Sequence, residues 1–106
     1  MDLLCRTTTL RGTAALQVSG EVDLSTLPAF RDQLLRLVDE HAGHTVLVDL
    51  DGVTALDDAG LGMLLGAAGR ARQRDGDLQL VCTAAHLLRR FAVTGLDRAV
   101  AVLPGE

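Results

Sequence analysis

The six residues TVLVDL, at positions 45–50, are almost continuously apolar. A run of this kind is typical of a central strand that other elements cover on both faces of the sheet. We therefore expect this strand to anchor the fold. The Asp51-Gly52 pair that follows it predicts a turn and a short loop.

Downstream of this strand, the pattern alternates between helix and strand. Residues 60–72 carry apolar side chains at helical spacing, which predicts a helix. Residues 78–82 predict a buried strand, and residues 84–94 predict a helix that ends at Gly95. Residues 99–103 are expected to form a short edge strand.

Upstream, two stretches rich in Thr, Leu and Val, residues 3–10 and 13–19, flank Arg11-Gly12 and predict an antiparallel hairpin. A helix is expected to follow. Pro28 is tolerated in its first turn, and either Ser25 or Thr26 would cap it. It is expected to end near Gly43. Its apolar stripe consists of Leu27, Phe30, Leu34, Leu37 and Val38.

The element order β-β-α-β-α-β-α-β predicts an α/β fold with a mixed central sheet of four to five strands and helices packed on it. The chain has 106 residues, of which 48% are hydrophobic and 23% charged. This size and balance suit one globular domain over residues 1–106.

Composition argues against several functions. The formal net charge of -4 and the absence of a basic stripe argue against nucleic-acid binding. No basic leader followed by an apolar stretch, and no membrane span, is recognisable, so we expect a cytoplasmic protein without a membrane partner. Cys5 and Cys82 lack metal-ligand or CxxC spacing and are expected to be buried small apolar residues.

Two acidic loops are expected at the carboxyl ends of the parallel strands, residues 20–26 and 51–60, where α/β proteins tend to place their functional surface. Paired carboxylates could serve as acid and base or hold a divalent cation. Helix capping and a favourable helix dipole are the plainer explanation for an Asp pair at a helix start. The acidic residues of the two loops are Glu21, Asp23, Asp51, Asp57 and Asp58.

No pattern of an enzyme site is present. His41, His44 and His86 fit no catalytic triad and are expected at the surface. Gly60, Gly62 and Gly66 fall within the pattern of a helix, where they are expected to permit close packing, and not in a phosphate-binding loop. We therefore predict no catalytic residue, no cofactor and no metal, and a binding protein instead.

Three segments together resemble the STAS domain: SGEVD at 19–23, VLVDL at 46–50 and VTALDDAGLG at 53–62. Arg90-Phe91 and Thr94-Gly95-Leu96 also look like the end of its third helix. The resemblance spans nearly the whole chain without a large insertion. The family includes bacterial anti-sigma-factor antagonists and the tails of sulphate transporters.

The resemblance implies that the partner is an anti-sigma factor, itself a serine kinase of the GHKL type. In the family this kinase phosphorylates a Ser that opens the second helix, and the unphosphorylated antagonist binds the kinase and frees a sigma factor. The residues expected to contact the partner are Glu21, Asp23, Ser25, Thr54, Asp57, Asp58, Ala59, Gly60, Leu61 and Met63.

This chain departs from the family at the phosphoacceptor, because Asp58 and Ala59 replace the two hydroxyl-bearing residues. It could be an antagonist that its kinase cannot silence, a permanently phospho-like and weak binder, or a binder of a diverged partner. The first is favoured, because Asp58 also suits an ordinary helix cap. Thr54 could be a substitute acceptor, although a hydroxyl bonded to local backbone is the plainer expectation.

Two further alternatives stay open. The chain could be a STAS module of another kind, a ligand sensor or an accessory subunit of a transport system. The strand expected at residues 3–9 could also be an exposed edge, and exposed edges invite pairing, so a homodimer is not excluded.

Overall fold

The computed structural model describes residues 2–105, which form a five-stranded mixed sheet with four helices. The strands are β1 (Leu3–Leu10), β2 (Thr13–Val22), β3 (Thr45–Leu56), β4 (Asp77–Val81) and β5 (Val102–Leu103). The helices are α1 (Leu27–Glu40), α2 (Asp58–Gln73), α3 (Ala85–Thr94) and α4 (Leu96–Ala99).

The expected hairpin forms between β1 and β2. Arg11 and Gly12 both have positive φ, 53° and 77°. Two such residues make the tight turn whose twist matches that of an antiparallel pair. Leu10 consequently pairs with Thr13, and the ladder continues to Leu3 and Gly20.

The strands lie in chain order, and all pairs after the hairpin are parallel. Successive right-handed crossovers in one direction place every connecting helix on the same face of the sheet. The main core lies under the helices, where Phe30 of α1 and Phe91 of α3 are 0% exposed.

Among residues 2–105, no helix lies over the opposite sheet face, so the expectation that TVLVDL is covered on both faces is wrong. Val46, Val48 and Leu50 point into the main core. Leu47 instead joins a small cluster made only of strand residues, with Ala15 and Val81 at its centre. The cluster shields Leu47 without a second layer, and this is why an apolar run imitates a strand covered on both faces.

Two strands, β2 and β3, extend further at their carboxyl ends than expected. β3 continues through Asp51-Gly52 to Leu56, where a short loop was predicted, and β2 continues to Val22. Pairing between the two strands supplies backbone hydrogen bonds that local turn propensity does not reveal. The ladder has register shifts after Gln17 and after Gly20, then closes with Val22 opposite Leu56.

The last third of the chain follows the expected order with one addition. α3 ends at Gly95, whose φ of 80° is the left-handed conformation that glycine adopts without strain. The short helix α4 follows it and leaves only two residues for β5, where five were expected. Cys82 is buried, whereas Cys5 is only half-buried, and both are free thiols.

The glycines of α2 have two different environments. A methyl group at Gly60 would lie 2.5 Å from Leu56 Cδ1 and 2.8 Å from Val22 Cγ1, so this glycine permits close packing as expected. At Gly62 and Gly66 a methyl group would meet nothing within 4 Å, so the same expectation is wrong for these two. They lie on the exposed face of the helix.

Substitution at these glycines should change stability in opposite directions. We expect Gly60→Ala to lower the free energy of unfolding by about 1–3 kcal/mol, because Leu56 and Val22 must move. Gly62→Ala, its matched control, should raise the free energy of unfolding by up to about 1 kcal/mol, since alanine favours the helix. Urea unfolding followed by circular dichroism measures both, and a stabilising Gly60→Ala would contradict the packing described here.

Candidate functional site

The turns that follow β2 and β3 lie side by side at one edge of the sheet. Val22 and Leu56 are the last paired residues, and the backbone N–H of Asp57 donates to the carbonyl oxygen of Val22 at 3.1 Å. This bond ties the start of one turn to the end of the neighbouring strand. The adjacency of the two acidic segments expected from the sequence is therefore present.

The β2–α1 turn is ordered by the side chain of Asp23. Its Oδ1 accepts hydrogen bonds from the backbone N–H of Ser25 at 2.9 Å, from Ser25 Oγ at 2.7 Å and from the N–H of Thr26 at 3.1 Å. Thr26 occupies the N-cap position of α1 without a capping side-chain bond. Its buried hydroxyl donates instead to the carbonyl of Glu21 at 2.8 Å, so Thr26 takes the expected cap position but its side chain forms no capping bond.

These donors favour the charged form of Asp23. The hydroxyl of Ser25, followed by the backbone N–H groups of Thr26 and Ser25, lowers the pKa of Asp23 below the ordinary value of 3.8, against a partial loss of hydration that raises it. The carboxylate thus holds the turn in one shape.

α2 begins at the second turn, with different roles for its two aspartates. Asp57 is the N-cap, and its Oδ1 accepts from the N–H of Gly60 at 3.0 Å. Asp58 is the first helical residue, with a side chain that is 93% exposed. The expected cap is therefore Asp57 and not Asp58, while both carboxylates lie where the helix dipole favours negative charge.

Asp58 has a partner that the sequence did not reveal. Arg90 Nη2, on α3, donates to Asp58 Oδ1 at 2.7 Å. The two residues are 32 positions apart, so no local pattern could connect them. Only the packing of α3 beside the start of α2 brings the guanidinium to this carboxylate.

The two hydroxyl-bearing residues expected to contact a partner are bonded within the protein. Ser25 Oγ donates to Asp23, as described above, and Thr54 Oγ1 donates to the carbonyl oxygen of Gly20 at 3.2 Å. Thr54 lies in β3 and not in a loop, and its hydroxyl bonds to the backbone of the neighbouring strand β2 and not to the local backbone that was expected.

The other residues expected to contact a partner divide by exposure. Ala59 is exposed, and Glu21 and Met63 are half-buried. Gly60 and Leu61 are buried, and Leu61 belongs to the main core, so its side chain does not reach the surface.

Two residues change the outline of the site. Leu24, which the sequence analysis did not single out, is 79% exposed between Asp23 and Ser25, and an exposed leucine on an ordered turn offers apolar area to a partner. Asp51 lies apart from the turns, because it accepts from the N–H of Thr83 at 2.6 Å.

Residues 2–105 contain no group of three or more His, Cys, Asp or Glu side chains placed to hold a metal ion. No helix in this part of the chain is long and apolar enough to cross a membrane.

Comparison with known proteins agrees with this geometry. The family model described as "Mlab, STAS domain" matches residues 5–104. An anti-sigma-B factor antagonist of Listeria monocytogenes is 33% identical over 85 residues, which are 80% of this chain and 74% of that protein. One from Staphylococcus aureus is 29% identical over 105 residues, 99% of this chain and 96% of its own.

A solved structure shows the same fold. The crystal structure of an anti-sigma factor antagonist from Mycobacterium paratuberculosis superposes with a TM-score of 0.86 at 24% identity, covering 98% of this chain and 87% of that one. The α/β fold expected from the sequence is confirmed. The named relatives are regulatory binding proteins, in agreement with the expectation of a binding protein rather than an enzyme.

Removing the capping side chain of Asp57 should lower the free energy of unfolding more than removing the carboxylate of Asp58. We expect Asp57→Ala to lower the free energy of unfolding by about 1 kcal/mol, because the N–H of Gly60 loses its acceptor. Asp58→Ala, the matched control, should cost less, since an ion pair this exposed contributes little. Urea unfolding compares the two, and an equal loss from both would contradict the assigned roles.

The pKa of Asp23 provides a second measurement. The carboxyl carbon of Asp23, followed by NMR as a function of pH, should titrate with a midpoint below 3.8. Because the folded pKa is lowered, the stability from this group is complete above 3.8 and is lost as the pH falls through the folded pKa. Ser25→Ala should move the midpoint upward, and an unchanged midpoint would contradict the bonding described for the turn.

Proposed function

Since the chain belongs to the STAS domain family, we propose that it is an anti-sigma-factor antagonist, a cytoplasmic protein that binds an anti-sigma factor and thereby releases a sigma factor. The relatives named anti-sigma-B factor antagonist support this role. The anti-sigma factor is proposed to be a serine kinase of the GHKL type. The structural observation that carries the proposal is the pair of adjoining turns, joined by the bond from Asp57 to Val22.

The proposed contact surface comprises the exposed groups of the two turns. Leu24 on the first of these turns and Ala59 in the first turn of α2 supply the apolar part. Asp23 and Asp58 supply carboxylate groups. A partner that covers this surface buries apolar area and meets an ordered backbone, so little conformational entropy is lost on binding.

The same site supports binding that does not depend on phosphorylation. At the acceptor position Asp58 offers no hydroxyl, and Ala59 offers none beside it. The nearby hydroxyls of Ser25 and Thr54 donate within the protein. We propose that the kinase therefore cannot silence this protein by transferring phosphate to it.

Restoring the hydroxyl tests this proposal. The wild-type protein, immobilised as bait in an extract of its own cells, should retain an anti-sigma factor. The Leu24→Asp variant, used as bait in the same way, should not retain it. With the retained kinase and Mg-ATP, Asp58→Ser should gain one phosphate by mass spectrometry and release the kinase. Ala59→Ser is the matched control, since its hydroxyl lies one residue further along α2, and it should stay unmodified.

Two outcomes would contradict the proposal. Phosphate on Ser25 or Thr54 of the wild-type protein would overturn phosphorylation independence. Retention of a transport ATPase in place of an anti-sigma factor would overturn the antagonist role in favour of an accessory subunit of a transport system.

A further inference from the structure

We infer that Arg90 is a positioning residue of the partner-binding site: it neutralises Asp58, so that the anti-sigma factor meets an ion pair and not a phosphate-like anion. The inference rests on the proposed function and concerns how that same site is regulated. It assigns a role to a residue of α3, outside the two turns that form the proposed contact surface. It also favours an antagonist that its kinase cannot silence over a permanently phospho-like, weak binder.

The geometry holds the two charges together from separate helices. Arg90 Nη2 lies 2.7 Å from Asp58 Oδ1, within the range of charge-assisted hydrogen bonds. Arg90 is flanked on α3 by Leu87 and Phe91, which are both 0% exposed. Because these two side chains are anchored in the core, α3 presents Arg90 to the start of α2 from a fixed position.

Arg90 is the basic residue that pairs with Asp58. Within residues 2–105, Asp58 forms an ion pair only with Arg90. Arg89 and His86, the neighbouring basic groups on α3, are exposed and have no recorded bond to Asp58. The adjacent carboxylate of Asp57 accepts from the helix backbone, and that of Asp23 accepts from its own turn.

The contrast with a phosphorylated residue is one of net charge. A phosphoserine carries about -1.5 to -2 charges and three acceptor oxygens, so one arginine would leave it negative. Asp58 carries a single charge, and one arginine balances it. A partner that is repelled by phosphate would therefore meet a balanced ion pair at this position.

The Arg90–Asp58 ion pair is expected to affect the affinity for the partner more than the stability of the fold. An ion pair whose carboxylate is 93% exposed adds little to stability, because water screens both charges. A partner that covers Asp58 removes that water, and a carboxylate left without its arginine would then weaken the complex. The loss on removing Arg90 is thus expected in the affinity, and only when Asp58 is present.

A double-mutant cycle tests this dependence. The probe is the anti-sigma factor retained by the wild-type protein, titrated calorimetrically against Arg90→Gln, Asp58→Asn and the double variant. Arg90→Gln should weaken binding about tenfold or more, and the double variant should bind within about threefold of the wild type. Arg90→Lys should restore most of the affinity, and Arg89→Gln is the matched control that should leave it unchanged.

The outcomes separate this inference from the proposed function. An equal loss from Arg90→Gln with and without Asp58 would overturn the inference, because Arg90 would then contact the partner directly. Unchanged affinity of Arg90→Gln would overturn it as well. Thermal melts must show every variant folded. Failure of the wild-type protein to bind any anti-sigma factor would overturn the proposed function itself, and this inference with it.

Discussion

The arrangement of the molecule depends on the parallel pairing of β2 with β3. At the register shifts in this ladder the strands approach so closely that a Cβ at position 52 would lie 2.7 Å from Ser19 Cβ, and Gly52 avoids this contact. Beyond the shifts the strands pair again as far as Val22 and Leu56. Because both strands end at the same level, the two turns that follow them form one surface.

Three carboxylates gather on this surface, and each is stabilised in a different way. Asp23 accepts from donors of its own turn, Asp57 from one amide in the first turn of α2, and Asp58 from an arginine of another helix. Hydrogen bonds to the charged form and a nearby opposite charge are separate physical effects with the same result.

In the proposed function, this combination forms a docking surface that phosphorylation does not switch. In the proposed function, the STAS scaffold keeps its docking turns but lacks a hydroxyl at the acceptor position. Asp58 and Arg90 would then form a permanent part of the surface that the partner meets. An antagonist of this kind would respond to the amounts of its partners, because position 58 has no hydroxyl to which a serine kinase could transfer phosphate.

The sequence by itself determined the order of the strands and of the three longer helices, the hairpin, the apolar stripe of α1, the stop at Gly95 and the resemblance to the STAS family. These depend on local backbone preferences and on periodicity, which neighbouring residues express. Tertiary structure decided the full length of β3, the open face of the sheet beside Leu47, and which aspartate caps α2. It also decided the contact of Arg90 with Asp58, because an ion pair between residues on separate helices depends on how those helices pack and leaves no trace in local sequence.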